Sequence, residues 1–168
     1  FSAVDATRAE TDFLYKAVKT AIENGANRVT LCDSAGIFLP NEFADFVTAL
    51  KENVPEMENV ELYVQVSDEM GMGIACAAAA VSAGAKGVKC TAIPAGLPTL
   101  EQVATLVQKK GADMDIAASI KTTDLQRSVT QLERVLAPIE ETDSPFRDMG
   151  LGDVAGVTLD ANDTITDV

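Results

Sequence analysis

The chain has 168 residues, of which 47% are hydrophobic and 23% charged, and this composition predicts one soluble domain with a substantial core. Its formal net charge of -13 argues against nucleic acid and anionic membrane surfaces as partners, because like charges repel. The sequence contains no signal-peptide pattern, no run of roughly 20 apolar residues and no CxxC pair, so we expect a protein of the reducing cytoplasm whose partners are small molecules or proteins.

Hydrophobic periodicity predicts five helices and three strands. The helices cover residues 8–24, 40–53, 71–83, 98–110 and 122–136, and Pro138 is expected to break the last of them. The strands cover residues 28–32, 60–66 and 88–91. Helices and strands alternate, which indicates the α/β class with parallel strands and right-handed crossovers. Two architectures remain open, the last part of a (β/α)8 TIM-type barrel and an open doubly wound parallel sheet.

Residues 1–138 are therefore predicted to form an α/β segment, followed by a different region. Residues 139–168 contain several glycines, many aspartates and little periodicity, which is typical of an irregular extension or linker. The chain begins without methionine, and Thr164 and Asp167 have the spacing of a capping box that would open another helix. We therefore expect this chain to be a piece of a longer protein.

An internal repeat supports the parallel arrangement. The segments Ala21–Thr30 and Ala80–Lys89 lie 59 residues apart, and each reads as a helix end, a Gly-Ala pair and the start of an apolar strand. The glycines, Gly25 and Gly84, are predicted to adopt the left-handed conformation that closes a helix. A third and looser copy runs from Leu106 to Ile116.

Polar residues follow the first two predicted strands, at the edge where α/β proteins place their chemistry. Asp33 and Ser34 follow one strand, and this pair could bind a carboxylate or a metal-bound water, or simply form a turn. Asp68 and Glu69 follow the next strand, and they could bind a cation or act as a base, or cap the following helix.

Five segments, in order along the chain, resemble the motifs of one enzyme family. They are Phe1–Arg8, similar to F-S-P-E-D-A-x-R; Asp33–Phe43, similar to D-T-x-G-x-x-x-P-x-E-F; Gln65–Met72, similar to H-x-H-[ND]-D-x-G-[LM]; Val88–Thr91, similar to V-x-C-T; and Leu100–Val103, similar to L-E-E-V. The family is that of the metal-dependent barrels of 2-isopropylmalate synthase, homocitrate synthase, citramalate synthase and hydroxymethylglutaryl-CoA lyase. The resemblance implies that the last three strands of such a barrel are present here and that the first five are absent.

The resemblance also implies where the chain departs from the family. Gln65 and Ser67 occupy the positions of the two metal-binding histidines, and the chain contains no histidine. The inherited metal site is therefore predicted to be lost, although an oxygen-preferring cation such as Mg²⁺ tolerates amide and hydroxyl ligands. Val4 replaces a family glutamate, Ser34 replaces the threonine that binds the oxo acid, and residues 92–99 replace a longer, charged loop.

Three functions follow as hypotheses. By resemblance, the chain is a divergent member of the acyl-CoA/2-oxo acid condensing family, binding a 2-oxo acid or acyl-CoA near Asp33, Ser34, Asp68 and Glu69, with condensation left open. The alternative is a non-catalytic relative that serves as a scaffold or regulatory subunit. The third is an unrelated α/β binding module. Because a few strands alone expose their edges, we also expect a homo-oligomer or pairing with the missing N-terminal half.

Overall fold

The structure is a computed structural model that describes the backbone of residues 1–140 and the side chains of residues 1–136. These residues form four parallel strands and five α-helices. The strands are β1 (Ser2–Ala3), β2 (Arg28–Asp33), β3 (Glu61–Val66) and β4 (Gly87–Val88). The helices are α1 (Thr11–Glu23), α2 (Pro40–Asn53), α3 (Gly73–Ser82), α4 (Leu100–Lys110) and α5 (Thr122–Glu140). Short 3₁₀ helices cover Ala6–Arg8 and Pro55–Asn59. The sheet and its covering helices belong to residues 1–132, which form one structural unit.

The strands are adjacent in the order of the sequence, β1-β2-β3-β4, and all pairs are parallel. The register aligns Ser2 with Thr30, Thr30 with Tyr63 and Tyr63 with Gly87. An open doubly wound sheet reverses its strand order at a switch point, whereas a barrel adds its strands in sequence. The observed order is therefore the order of a barrel wall.

One face of the sheet is covered by α1, α2 and α3. Alternate residues of a strand point to opposite faces of the sheet. In β2 and β3, the residues on the same face as the paired Leu31 and Val64 enter the core. Core residues of the strands and of these three helices are Ala3, Val29, Leu31, Leu62, Val64, Val66, Leu14, Val18, Phe43, Val47, Leu50, Cys76 and Ala80. The strand residues of this core come from a single face, whereas a doubly wound sheet buries both.

The repeated joints between helix and strand are confirmed. At the first joint, the Ala26 amide donates to the Ala21 carbonyl at 3.0 Å, and the Gly25 amide donates to the Ile22 carbonyl at 3.0 Å. This pair of bonds is the Schellman closure of a helix, and Gly25 has the required positive φ of 97°. The second joint has the same two bonds, from Ala85 to Ala80 and from Gly84 to Val81, with φ 104° at Gly84.

Three details differ from the sequence prediction. β1 was not predicted, because two residues carry no periodicity. The third copy of the repeat forms no strand at Ile116, whose amide instead donates to the Gly111 carbonyl at 2.9 Å in a local turn. Helix α5 continues through Pro138 to Glu140, since proline removes one amide donor but leaves the backbone of the last turn helical.

Several predictions lie beyond the part of the chain that the structure describes. Residues 141–168, which make up nearly all of the predicted extension and contain Thr164 and Asp167, are outside the described residues. Within residues 1–140, no helix is both long and apolar enough to cross a bilayer.

Candidate site at the carboxyl ends of the strands

The carboxyl ends of the first three strands are joined by hydrogen bonds. The Ser67 amide, just beyond β3, donates to the Asp33 carbonyl at the end of β2 at 2.9 Å. The Asp5 amide, beyond β1, donates to Ser34 Oγ at 3.1 Å. The structure thus brings Asp33 and Ser34 to the same edge as the segment that follows β3, where Asp68 and Glu69 lie.

Asp33 is buried, with 1% of its surface exposed. Its register with Val66 places it on the helix-covered face of the sheet. One carboxylate oxygen, Oδ1, accepts a hydrogen bond of 2.7 Å from Thr7 Oγ1, and the other, Oδ2, is buried and has no partner among the described residues. Asp33 therefore holds the 3₁₀ turn that contains Thr7 against the end of β2, and its carboxylate points into the protein.

Ser34 is exposed, unlike its neighbour. Its Oγ accepts the hydrogen bond from the Asp5 amide, so the hydroxyl proton remains available to donate to another acceptor. Among the four residues predicted for the site, Ser34 is the one whose side chain can offer a hydrogen-bond donor to a ligand.

Asp68 caps helix α3, as the alternative interpretation of this residue proposed. Its Oδ1 accepts from the Gly73 amide, the first of the helix, at 2.6 Å. A negative charge is favourable at this position because the amino end of a helix carries unpaired amide donors. Glu69 is exposed on the turn that leads into the helix.

The short loop of residues 92–99 packs against the end of β3. The Asp68 amide donates to the Gly96 carbonyl at 2.9 Å, and the Thr91 amide donates to the Pro98 carbonyl at 3.0 Å. Pro98 is fully buried. By resemblance, residues 92–99 stand in place of a longer, charged loop. In this chain they pack against the carboxyl ends of the strands.

The residues at the family's histidine positions do not fit a transition-metal site. Gln65 and Ser67 offer an amide and a hydroxyl, which are weak ligands for such a metal. Within residues 1–136, no group of three or more His, Cys, Asp or Glu side chains is arranged to hold a metal ion. The neighbouring carboxylate of Asp68 is already used by the Gly73 amide.

One cation that was not predicted from the sequence lies on the uncovered face of the sheet, the face opposite α1, α2 and α3. Lys89 follows β4, and its Nζ donates to Ser2 Oγ at 3.2 Å on the opposite edge strand. A lysine inside a predicted buried strand is an unusual residue, and that signal could have identified it. A second cation on this face, Arg28, pairs with Glu61 at 2.7 Å and lies 4.3 Å from the centre of the Tyr63 ring.

The cysteines are free thiols without the surroundings of a nucleophile. Burial raises the pKa of Cys32, and Lys89 opposes this rise. Burial also raises the pKa of Cys76, with a further contribution from nearby carboxylates. Both thiols therefore stay protonated near neutral pH and act as small buried side chains.

Comparison with known proteins gives the family. The sequence profile of the HMGL-like family matches residues 1–132. The chain is 34% identical over 140 residues to 2-isopropylmalate synthase of Aquifex aeolicus, covering 80% of this chain and 27% of that protein. It is 33% identical over 132 residues to 2-isopropylmalate synthase of Carboxydothermus hydrogenoformans, covering 76% of this chain and 26% of that protein. The chain thus spans about a quarter of the length of these relatives.

Solved structures share the fold. An HMG-CoA lyase from Acinetobacter baumannii in complex with coenzyme A and 3-methylmalate matches with a TM-score of 0.67 at 16% identity, covering 94% of this chain and 54% of that one. The carboxyl transferase domain of Rhizobium etli pyruvate carboxylase with pyruvate matches with a TM-score of 0.65 at 18% identity, covering 86% and 24%. The sheet is therefore part of a (β/α)8 barrel. The chain belongs to the HMGL-like family.

Proposed function

We propose that this chain forms part of a binding site for a small 2-oxo acid. Two comparisons support this class of ligand. The relatives at 34% and 33% identity are 2-isopropylmalate synthases. The carboxyl transferase domain that shares the fold is in complex with pyruvate, a 2-oxo acid. The site would lie at the carboxyl ends of the strands, where barrels of this kind place their chemistry.

The geometry of Ser34 is the observation that carries the proposal. Its oxygen is fixed by the Asp5 amide at 3.1 Å, while its proton is free on an exposed side chain. A fixed hydroxyl with a free proton is suited to donate to the carboxylate or carbonyl oxygen of an oxo acid. Ser34 also stands where the resembling family has its oxoacid-binding threonine, which has the same donor group.

In this proposal, the acidic residues shape the site rather than contact the ligand. Asp33 fixes the turn before α1 through Thr7, and Asp68 fixes the start of α3 through Gly73. The exposed Glu69 repels an anion, so a bound oxo acid needs a nearby positive charge. A Mg²⁺ ion from solution is one source of that charge, and a lysine on the uncovered face is another.

Condensation with an acyl-CoA is not part of the proposal, although acyl-CoA binding remains the second ligand class that the family suggests. Attack on the carbonyl of an oxo acid relies on a Lewis acid or an equivalent charge to polarise that carbonyl. The amide of Gln65 and the hydroxyl of Ser67 make a poor donor set for such an ion.

A non-catalytic role is the second candidate, and the donor set at Gln65 and Ser67 favours it. In that case the barrel is retained as a scaffold or regulatory subunit. An assay of acetyl-CoA consumption with 2-oxoisovalerate and Mg²⁺, Mn²⁺ or Zn²⁺ tests this role. Turnover would refute the non-catalytic role, and absence of both turnover and oxo-acid binding would favour a scaffold over the binding site proposed above.

We also propose that the sheet edges are completed by another polypeptide segment. The edge strands β1 and β4 have two residues each in this structure, and their outer sides have no further strand among the described residues. A second copy of the chain, or the N-terminal half of a barrel, would satisfy these edges. Light scattering of the chain alone would measure self-association, and light scattering after mixing with a separately expressed N-terminal half would measure binding to that half. A monomer that binds no such half would contradict this proposal.

Calorimetric titration of the full chain with 2-oxoisovalerate tests the proposed function. The titration is made in EDTA and again with Mg²⁺, and Ser34→Ala is compared with Ser82→Ala, an exposed serine at the far end of α3. We expect saturable binding that Ser34→Ala weakens by roughly 3- to 10-fold, the effect of one hydrogen bond. No heat of binding in either buffer would refute the proposal.

A further inference from the structure

We propose that Lys89 and Ser2 form the carboxylate-binding pair for the 2-oxo acid, so that the Lys89 ammonium group supplies the positive charge that a metal ion would otherwise supply. This inference rests on the proposed function and names the residues that would recognise the ligand's charge. It concerns the uncovered face of the sheet, defined here by Ser2, Thr30, Tyr63 and Gln65 together with Lys89.

The position of Lys89 is fixed by the backbone. Its amide donates to the Val64 carbonyl at 2.8 Å, one residue beyond the pairing of Val64 with Val88. From there its side chain reaches Ser2 Oγ at 3.2 Å. Neighbouring strands lie about 4.8 Å apart, and β1 and β4 are separated by β2 and β3, so this contact requires the sheet to curve with the uncovered face on its inner side. Lys89 is therefore directed across a concave surface.

Lys89 lies beside Gln65 on the uncovered face of the sheet. Cys32 pairs with Gln65 in the register of β2 and β3, and Lys89 follows the residue paired with Val64, which places it beside Gln65. Gln65 stands at the position of the first family histidine. Lys89 also acts on Cys32, whose pKa it lowers against the effect of burial, so its field reaches across to β2.

The charge of Lys89 is available to a ligand. Arg8 forms an ion pair with Asp5 at 2.7 Å, and Arg28 forms one with Glu61 at 2.7 Å. None of the ion pairs found within residues 1–136 includes Lys89, which is exposed and bonded to a neutral hydroxyl. In a chain of net charge -13, a cation without an acidic partner is the group that can offset the repulsion of an anion.

A small carboxylate could bind to Lys89 and Ser2 without breaking any ion pair found within residues 1–136. Ser2 Oγ accepts from Lys89, and the serine proton remains free, so ammonium and hydroxyl can donate together to the two oxygens of one carboxylate. The phosphates of an acyl-CoA are a second anion of similar chemistry. The two donors of this pair match the two oxygens of a single carboxylate, which favours the oxo acid, and the titrations test both ligands.

The test is calorimetric titration of the full chain in EDTA with 2-oxoisovalerate and, separately, with coenzyme A. The variants are Lys89→Met, Lys89→Arg and Ser2→Ala, and the matched control is Lys86→Met, an exposed lysine at the other end of β4. Thermal unfolding by circular dichroism confirms that each variant is folded. We expect Lys89→Met to raise the Kd for 2-oxoisovalerate by roughly 10- to 100-fold, the effect of a charge-assisted hydrogen bond.

The other variants sharpen the assignment. Lys89→Arg should retain most of the affinity, Ser2→Ala should raise Kd by roughly 3- to 10-fold, and Lys86→Met should change nothing. Added salt should weaken binding by the wild-type chain more than by Lys89→Met, because salt screens the charge that the variant lacks. A merely structural role for Lys89 would not produce this difference.

The outcomes separate the inference from the proposed function. Binding of 2-oxoisovalerate with equal Kd in the wild type and in Lys89→Met overturns the role of Lys89 and leaves the proposed function intact. Binding of coenzyme A alone through Lys89 overturns the assignment to an oxo acid. No binding of 2-oxoisovalerate by the wild type, in EDTA or in Mg²⁺, overturns both.

Discussion

The two faces of the sheet obey different constraints. On the covered face, Leu31 and Val64 are fully buried against helices. On the uncovered face, alternate residues of the same strands include Tyr63 and Gln65, which are partly exposed, and Thr30, which is buried but polar. Packing fixes the size and polarity of the first set, whereas the second set is free to change its chemistry while the fold persists. The loss of both family histidines, at and just beyond the end of β3, fits this division.

The largest expected difference between the faces is in stability. Leu31→Ala should lower the free energy of unfolding by about 2–5 kcal/mol, because it leaves a cavity in a packed core. Gln65→Ala, on the other face of the neighbouring strand, should lower it by less than about 1 kcal/mol. Urea unfolding followed by circular dichroism measures both. Equal losses in the two variants would mean that the uncovered face is packed as tightly as the covered one.

The next effect concerns the buried carboxylate of Asp33. Thr7→Val keeps the shape of the side chain but removes the donor to Oδ1, so it should cost about 1–3 kcal/mol of stability. Thr7→Ser keeps the hydroxyl and should cost less. If urea unfolding finds Thr7→Val as stable as the wild type, Asp33 is not held by this bond.

A smaller effect distinguishes the two acids that follow β3. Asp68→Ala removes the cap of α3 and should cost about 1 kcal/mol, whereas Glu69→Ala should change stability by less than about 0.5 kcal/mol. Thermal unfolding of the two variants side by side measures the difference. A larger loss in Glu69→Ala would contradict the assignment of Asp68 as the cap.

The smallest effect is a dependence of stability on alkaline pH. Burial raises the pKa of Cys76 in the folded chain. Below the ordinary thiol pKa of about 8.5 the thiol is protonated in both states, and its contribution to stability is fully present. At higher pH the unfolded chain releases the proton first, so stability falls until the folded thiol also ionises. The urea midpoint should therefore drop less between pH 8 and pH 10 in Cys76→Ala than in the wild type, and an identical drop would contradict this role.

The sequence predicted the covered face better than the uncovered one. Core residues such as Val29 and Phe43 follow the hydrophobic periodicity of their strand and helix. Gly25 and Gly84 mark the two joints between helix and strand, because the left-handed conformation that closes a helix favours glycine. β1 was missed because its two residues take their structure from pairing with β2 rather than from local pattern. The third copy of the repeat, which ends at Ile116, was misleading because a Gly-Ala pair before an apolar residue also occurs in a simple turn.

The sequence predicted where the residues of the candidate site lie better than it predicted what each side chain does. Parallel strands bring Asp33, Ser34 and Asp68 to one edge, which spacing alone indicates. The sequence offered the cap of the following helix as one role for Asp68, and the Gly73 amide confirms it. That Asp33 turns inward to Thr7 depends on a contact across 26 positions of sequence that no local pattern specifies. Lys89 was overlooked because its partner, Ser2, lies 87 positions away on the other edge of the sheet.

The central claim is that the uncovered face and the strand ends bind a 2-oxo acid without a transition metal. The most direct measurement is a ¹⁵N-¹H correlation spectrum of the full chain titrated with 2-oxoisovalerate in EDTA. We predict saturable shifts of the amides of Ser2, Ser34 and Lys89, while those of Val18 and Val47 on the helix layer stay unchanged. Shifts that require an added transition-metal ion, or that map to the helix layer, would contradict the account.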